Sequence, residues 1–571
     1  MKFGYDPLTN MVDGLGTTAY GYTAAGQLLT EDGPFASDTV TNTYSNRQRV
    51  ALGLQQPTGS WTNAFAYDAA RRMTNVVSPA GPFAYQYLAK SGLSPRLVAR
   101  LSLPNTAYIT NQYDGVSRLT ETLLNNSANS ALDSALYGYN PASQRTTFTN
   151  AAGTYVTYSY DPLGQVKVAS SSSSSEDVGY AYDAAWNMSY KTNNGVANAF
   201  TVNNLNELTQ YIVNFSYDAN GNMITNNGYM VYAYDDENRL TMMTDEVYHS
   251  YQTEFDYDGL GRLRRRIEYT WVVNSKTGIG SWVGSSTVQY IYDGNRVIQE
   301  RDGGGNPLVS YTRGPDLSGT MEGAGGIGGL LARSDGYTSG NWTNHNYYHA
   351  DGLGNITYLI DSNQSMTGTY RYDPFSNTLS SSGTLSSANV YRFSSKEIHV
   401  NSGFYYFLYR FYVPGLQRWL NRDPIRQRAS LNVYAMVYNN TTEYVDPFGL
   451  DIYGNPLFPG PVTLWPAPPS QPSEPIWPPP TTLWPSQPPG QPQPIGPITL
   501  PPSSITFCLI SPPPPSFPLP PWLPPRLLPP WPLPWPFPPG TVLNPGFPPD
   551  FPLPSRPGKG GPIGVSIGWQ F

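Results

Sequence analysis

The sequence predicts an all-β fold built from tandem hairpins, and three observations carry that prediction. Tyr, Thr, Val, Asn and Gly abound while strong helix formers are sparse, a mixture that suits strands joined by tight turns. Charged residues make up only 13% of the 571 positions and aromatics 14%, 44 of them Tyr. A chain so rich in large packing groups is not of the disordered type. Finally, a unit that opens on Tyr-Asp recurs through the first two-thirds of the chain, often at intervals of 21 to 24 residues, which marks a repeat architecture.

The unit explains its own fold. Clear copies begin at Tyr5, Tyr67, Tyr113, Tyr160, Tyr182, Tyr217, Tyr234, Tyr257, Tyr292 and Tyr372, and worn copies at Tyr22, Tyr44, Tyr139 and Tyr348. Residues before the Tyr alternate, as in Tyr155-Val156-Thr157-Tyr158-Ser159-Tyr160, so one strand face is buried and the other wetter. The Asp initiates a turn by accepting from backbone N–H groups two residues on. Gly or Asn then supplies a positive φ, and an aliphatic residue opens the return strand. One hairpin is marginal alone, so neighbours must pair edge to edge.

This repeat resembles the YD repeat of the Rhs family, which includes bacterial Rhs polymorphic toxins and toxin-complex C subunits. The likeness runs over residues 1–450. Its second half is carried by Gly403-Phe404-Tyr405-Tyr406, Arg410-Phe411-Tyr412, Pro414 and Gln417-Arg418-Trp419-Leu420, which resemble the Rhs-associated core domain. Gly415 and Arg426 depart from the family pattern at positions the fold tolerates. The resemblance implies a spiral sheet closing as a cocoon-like shell. It divides the chain into YD repeats over 1–347, a core domain over 348–450 and a variable region over 451–571.

Composition breaks at Leu450. Residues 451–571 hold 42 of the 57 prolines and six charged side chains. Proline at that density blocks helix and central strand alike, so this tail is expected to be disordered or polyproline II. It has no histidine and no nuclease, deaminase or transferase constellation.

The chemistry centres on Asp423 and Asp446, in Arg422-Asp423-Pro424 and Asp446-Pro447-Phe448-Gly449-Leu450. Two carboxylates held close cannot both ionise cheaply, so one keeps a proton, and the pair can activate water and polarise a carbonyl. Spacing alone favours two Asp-Pro turn initiators. The resemblance implies more: an intramolecular aspartyl protease with Asp423 and Asp446 as the catalytic pair and Arg422 as supporting cation. It would cut the Leu450–Asp451 bond and free the C-terminal region. The composition break at that bond agrees.

Other features read as structure. His345 and His349 lie four apart on a strand, which separates them, and no metal or cofactor site is expected. Cys508 is the single cysteine, so no internal disulfide or cysteine zinc site can form. Gly323–Gly329 reads as a flexible loop rather than a phosphate cradle. The run Arg262, Arg264, Arg265 and Arg266 reads as a solvated strand face, and Arg410 as a stacking or core-plug residue. Net charge is −7, which argues against nucleic-acid binding by the body. No apolar stretch reaches spanning length and no signal peptide is visible, so no membrane span is expected. A secreted or cell-surface destination would then need another export route after a cytoplasmic stage. Expected partners are the chain's own tail as enclosed cargo, a further repeat-shell chain or a secretion apparatus, with carbohydrate as a candidate ligand. Two other functions fit the same sequence: a non-enzymatic adhesion scaffold and a truncated Rhs relic.

Overall fold

A computed structural model describes residues 8–89, 92–428 and 430–450. The Tyr5 repeat copy, Asp451, Cys508 and the proline-rich region therefore lie outside the described residues. Within them the chain is a succession of antiparallel strands, each paired with the next in sequence. Eighteen strands run from Asn10–Asp13 to Val196–Ala199, and sixteen from Thr201–Val202 to Thr378–Ser382. Four short strands follow, Glu397–His399, Phe404–Tyr406, Phe411–Val413 and Arg418–Trp419, as a separate sheet. The second ribbon thus passes through position 348 unbroken and ends at Ser382.

The repeat consensus is a hydrogen-bond specification. In Tyr160–Val166, Asp161 Oδ1 accepts the N–H groups of Leu163 and Gln165, both at 2.9 Å, and its Oδ2 accepts Gln165 Nε2 at 2.7 Å. The same pattern recurs at Asp114 with Arg118 and at Asp218 with Asn222. This accounts for the Arg, Gln or Asn four residues after the Asp. The Tyr hydroxyl reaches the preceding unit: Tyr182 Oη donates to Val166 O at 2.7 Å, Tyr67 Oη to Arg49 O at 2.8 Å and Tyr257 Oη to Leu240 O at 2.7 Å. The pairing register shifts by one residue at each of these tyrosines, a bulge that re-aims the side chain.

The positive-φ position is less selective than the sequence suggested. Gly164 takes it with φ 85°, but Arg71, Ser117, Trp186 and Ser376 occupy the same place with φ of 61°, 72°, 63° and 73°. The Asp-centred bonds hold the turn firmly enough to carry the roughly 1–2 kcal/mol that a side chain costs there.

The two ribbons meet at hairpin ends. Tyr337 donates to Thr58 O, Gln364 Nε2 to Asn105 O at 2.6 Å and Gly259 N to Asp13 Oδ2 at 3.2 Å. Gly59 and Gly340 approach so closely that a Cβ on Gly59 would lie 2.7 Å from Gly340 Cα. Buried ion pairs reinforce the seam. Arg262 bridges Glu31 (2.5 Å) and Asp258 (2.7 Å), while Arg49 meets Asp293 at 2.5 Å. These contacts correct the reading of the arginine run as a solvated face. Arg262 and Arg264 are buried, and Arg266 pairs with Glu397 of the four-stranded sheet at 2.5 Å. Alternation could not reveal this because it marks which face a residue takes, not what covers that face.

Candidate active site at the end of the core segment

The four-stranded sheet is anchored by Tyr405, Phe407, Tyr412 and Trp419, all almost fully buried. A tight turn after Phe404–Tyr406 closes with Phe407 N donating to Arg410 O at 2.9 Å and forces Leu408 to φ 75°. The turn delivers Arg410 onto the Trp419 ring, 4.2 Å from its centroid. Asp423 follows the strand Arg418–Trp419 and is fixed by its own N–H to Val433 O at 3.1 Å. Asp446 heads the last turn before Leu450.

Arg410 brings the two acids together. Its Nη2 lies 2.6 Å from Asp423 Oδ2 and 3.7 Å from Asp446 Oδ2, and all three side chains are buried. Asp446 Oδ1 accepts the N–H groups of Phe448 (3.1 Å), Gly449 (2.7 Å) and Leu450 (3.1 Å). That set is one donor larger than in a repeat turn and winds the motif around the carboxylate. Two cations grip the carbonyls: Arg410 Nε on Gly449 O and Lys396 Nζ on Pro447 O, each at 2.5 Å. Lys396 also donates to Gly325 O at 3.1 Å.

Electrostatics follow from burial. Asp423 is pushed up to about 6, first by desolvation and further by the charge of Asp446, against the pull of Arg410. Asp446 is likewise raised by burial, opposed by Arg410 and its three N–H donors. Burial holds Arg410 below its usual value and brings Lys396 down to about 8. Burial favours a retained proton on the acid pair, while Arg410 facing both carboxyls and Lys396 drawn toward Asp446 oppose it, so these groups titrate together.

Arg422 stands elsewhere. Its Nη2 pairs with Glu207 at 3.1 Å and its side chain is 34% exposed. Arg410 stacks as the sequence suggested and in addition occupies the bridging position. Nor is Gly323–Gly329 a free loop. Asp316 Oδ2 accepts from Ala324 and Gly326 N–H at 2.7 and 3.1 Å. A Cβ on Gly325 would sit 2.3 Å from Pro447 O, so the glycine lets the backbone press against the motif. His349 lies at the seam, with Nδ1 2.8 Å from Asp133, and His345 contacts Ser334 Oγ at 2.9 Å.

Comparison with known proteins places this architecture. No protein-family model matches the chain. The tRNA3(Ser)-specific nuclease WapA of Bacillus spizizenii is 28% identical over 321 residues, 54% of this chain and 12% of WapA. The double-stranded DNA deaminase toxin A of Burkholderia cenocepacia is 25% identical over 325 residues, 55% of this chain and 22% of the toxin. Toxin subunit YenC1 of Yersinia entomophaga is 31% identical over 107 residues, 18% of this chain and 11% of the subunit. The chain is similar to these Rhs/YD-repeat proteins. Among solved structures, TcdB2-TccC3-TEV superposes with a TM-score of 0.54 at 17% identity, covering 77% of this chain and 24% of that one. The YD-repeat chain thus shares the β-repeat shell fold and spans about an eighth to a fifth of the length of its first curated relatives.

Proposed function

We propose that the chain is a repeat shell that encloses its C-terminal region and frees it by cutting its own backbone after Leu450, as the cargo-bearing part of a polymorphic toxin system. The observation that carries this reading is the buried pair Asp423 and Asp446 on one Arg410 nitrogen, with Asp446 also holding the Leu450 N–H. In this mechanism one acid, ionised, takes a proton from water as it attacks the Leu450 carbonyl carbon. The other, protonated, supports the developing oxyanion. The proton then passes to the departing amine of Asp451, leaving a Leu450 carboxylate and a new N-terminus. Arg422 would act through the surrounding structure, since its guanidinium pairs with Glu207.

The relatives' names supply the wider frame: one is a tRNA nuclease, one a double-stranded DNA deaminase toxin and one a toxin subunit. Export as part of such a system, and assembly with a further shell chain, extend the proposal to partners. Denaturing electrophoresis of the expressed chain should show two fragments, with N-terminal sequencing of the smaller starting at Asp451. Asp446→Asn should leave one intact chain. A wild-type chain that stays whole, or an Asp446→Asn chain that is cut at the same bond, overturns the reading.

A further inference from the structure

A second site lies away from the aspartates. A cavity of about 420 Å³ opens between the strand Ala131–Tyr139, the hairpin tip at 150–154, the second-ribbon segment 351–379 and Thr441–Thr442 of the core segment. Its volume falls in the range of small-molecule sites. Tyr137, Tyr158, Tyr372 and Phe393 give it aromatic walls, and Asn150, Thr357 and Thr369 add hydrogen-bonding groups.

The charged groups around it are largely engaged with one another. Asp133 is taken by His349 Nδ1 (2.8 Å) and Thr357 Oγ1 (2.5 Å). Arg371 pairs with Glu176 at 2.5 Å, and Asp373 with Lys191 at 3.5 Å. Asp351 accepts from Leu353 N, Asn355 N and Asn355 Nδ2 at 2.9, 3.0 and 2.9 Å. Arg145 differs. It is 3% exposed, lies 4.1 Å from the Tyr137 ring centroid, and feels the charge of Asp351 without a carboxylate oxygen in ion-pair contact among the described residues. Its Nε and Nη2 have no hydrogen-bond partner. Arg262 and Arg296 have carboxylates in contact, and Arg301, which makes no ion pair among the described residues, bonds to Gln299 and to the carbonyls of Ala36, Ser37 and Gln55. Buried guanidinium nitrogens without acceptors are costly unless an acceptor reaches them.

We propose that the cavity binds a monosaccharide-sized organic acid, its carboxylate on Arg145 and its body between the aromatic walls. Hydroxyls of such a ligand match the Asn and Thr groups, and the planar fork of arginine suits a carboxylate. The ligand would touch both ribbons and the core segment at once, so occupancy adds to the stability of the folded body.

Isothermal titration of the full chain with D-glucuronate, D-glucose and inorganic phosphate tests this. Saturable binding of glucuronate is expected, with glucose and phosphate at least ~10-fold weaker. Arg145→Gln should lose at least ~10-fold in glucuronate affinity. Ala152→Trp, at the exposed tip of the hairpin and clear of the core, should block the mouth and abolish binding with the melting temperature unchanged. Phosphate binding as tight as glucuronate, an Arg145→Gln chain that binds like wild type, or no glucuronate binding up to about 10 mM overturns the proposal. Should Arg145→Gln not fold, the Ala152→Trp comparison decides alone.

Discussion

Arg410 restrains two buried carboxyls and a backbone carbonyl with one guanidinium. A lysine at that position offers a point charge with no fork, so Arg410→Lys should slow chain cutting at least ~10-fold on a timed denaturing gel, about the loss of one charge-assisted bond. Arg422→Ala, which removes a partly exposed partner of the buried Glu207 rather than of either acid, should stay within about twofold by the same assay, as expected of a residue acting at a distance from the pair. The reaction needs one proton on the acid pair, so its rate should fall as pH climbs past the Asp423 midpoint at about 6, approaching tenfold per unit. Stability moves with the same sign. The folded carboxyl keeps its proton to higher pH than the unfolded one, so its contribution is complete below about 4 and lost as pH rises through about 6. Comparison with Asp423→Asn by denaturant unfolding should shift in the variant's favour between about pH 5 and about pH 7. The two acids were readable from motif and composition. The bridging cation was not, because a tight turn after Tyr406, rather than chain proximity, carries Arg410 to Asp423.

At the level of the hairpin, each Tyr-Asp pair has two tasks that sequence reading only half separated. The turn role of the Asp was legible, because an acceptor three residues before a positive-φ position is a local property. The Tyr hydroxyl bond to the preceding unit was not, because it depends on the bulge that turns the ring toward its neighbour. Tyr182→Phe should lower unfolding free energy by about 1 kcal/mol, or up to about 3 if Val166 O is left dry. Hydrogen exchange should quicken first in the strands Tyr155–Tyr160 and Val166–Ser171, on the near side of the lost bond. Non-glycine residues at the left-handed corner, Trp186 among them, show the same interdependence: the Asp-centred network overrides the local preference that singled out Gly and Asn.

For the body as a whole, hairpin tips distant in sequence form the seam between ribbons. Repeat length showed that hairpins stack, but not where one ribbon meets the other, since no local pattern encodes a pairing such as Arg262 with Glu31. Arg262→Gln strands two buried carboxylates and should cost about 3–5 kcal/mol, read as a lowered denaturation midpoint. Faster exchange should appear together at the Glu31 and Asp258 turns, although 226 other residues separate them in the chain.

Lys396 and Arg410 clasp the carbonyls of Pro447 and Gly449 on the body side of the bond at Leu450. A severed chain would keep that grip, and the fresh carboxylate would come to rest beside the same guanidinium. On the proposed function such a site would be a fuse: it would fire once per molecule, be blocked by its own product and have no second turnover to offer a neighbour.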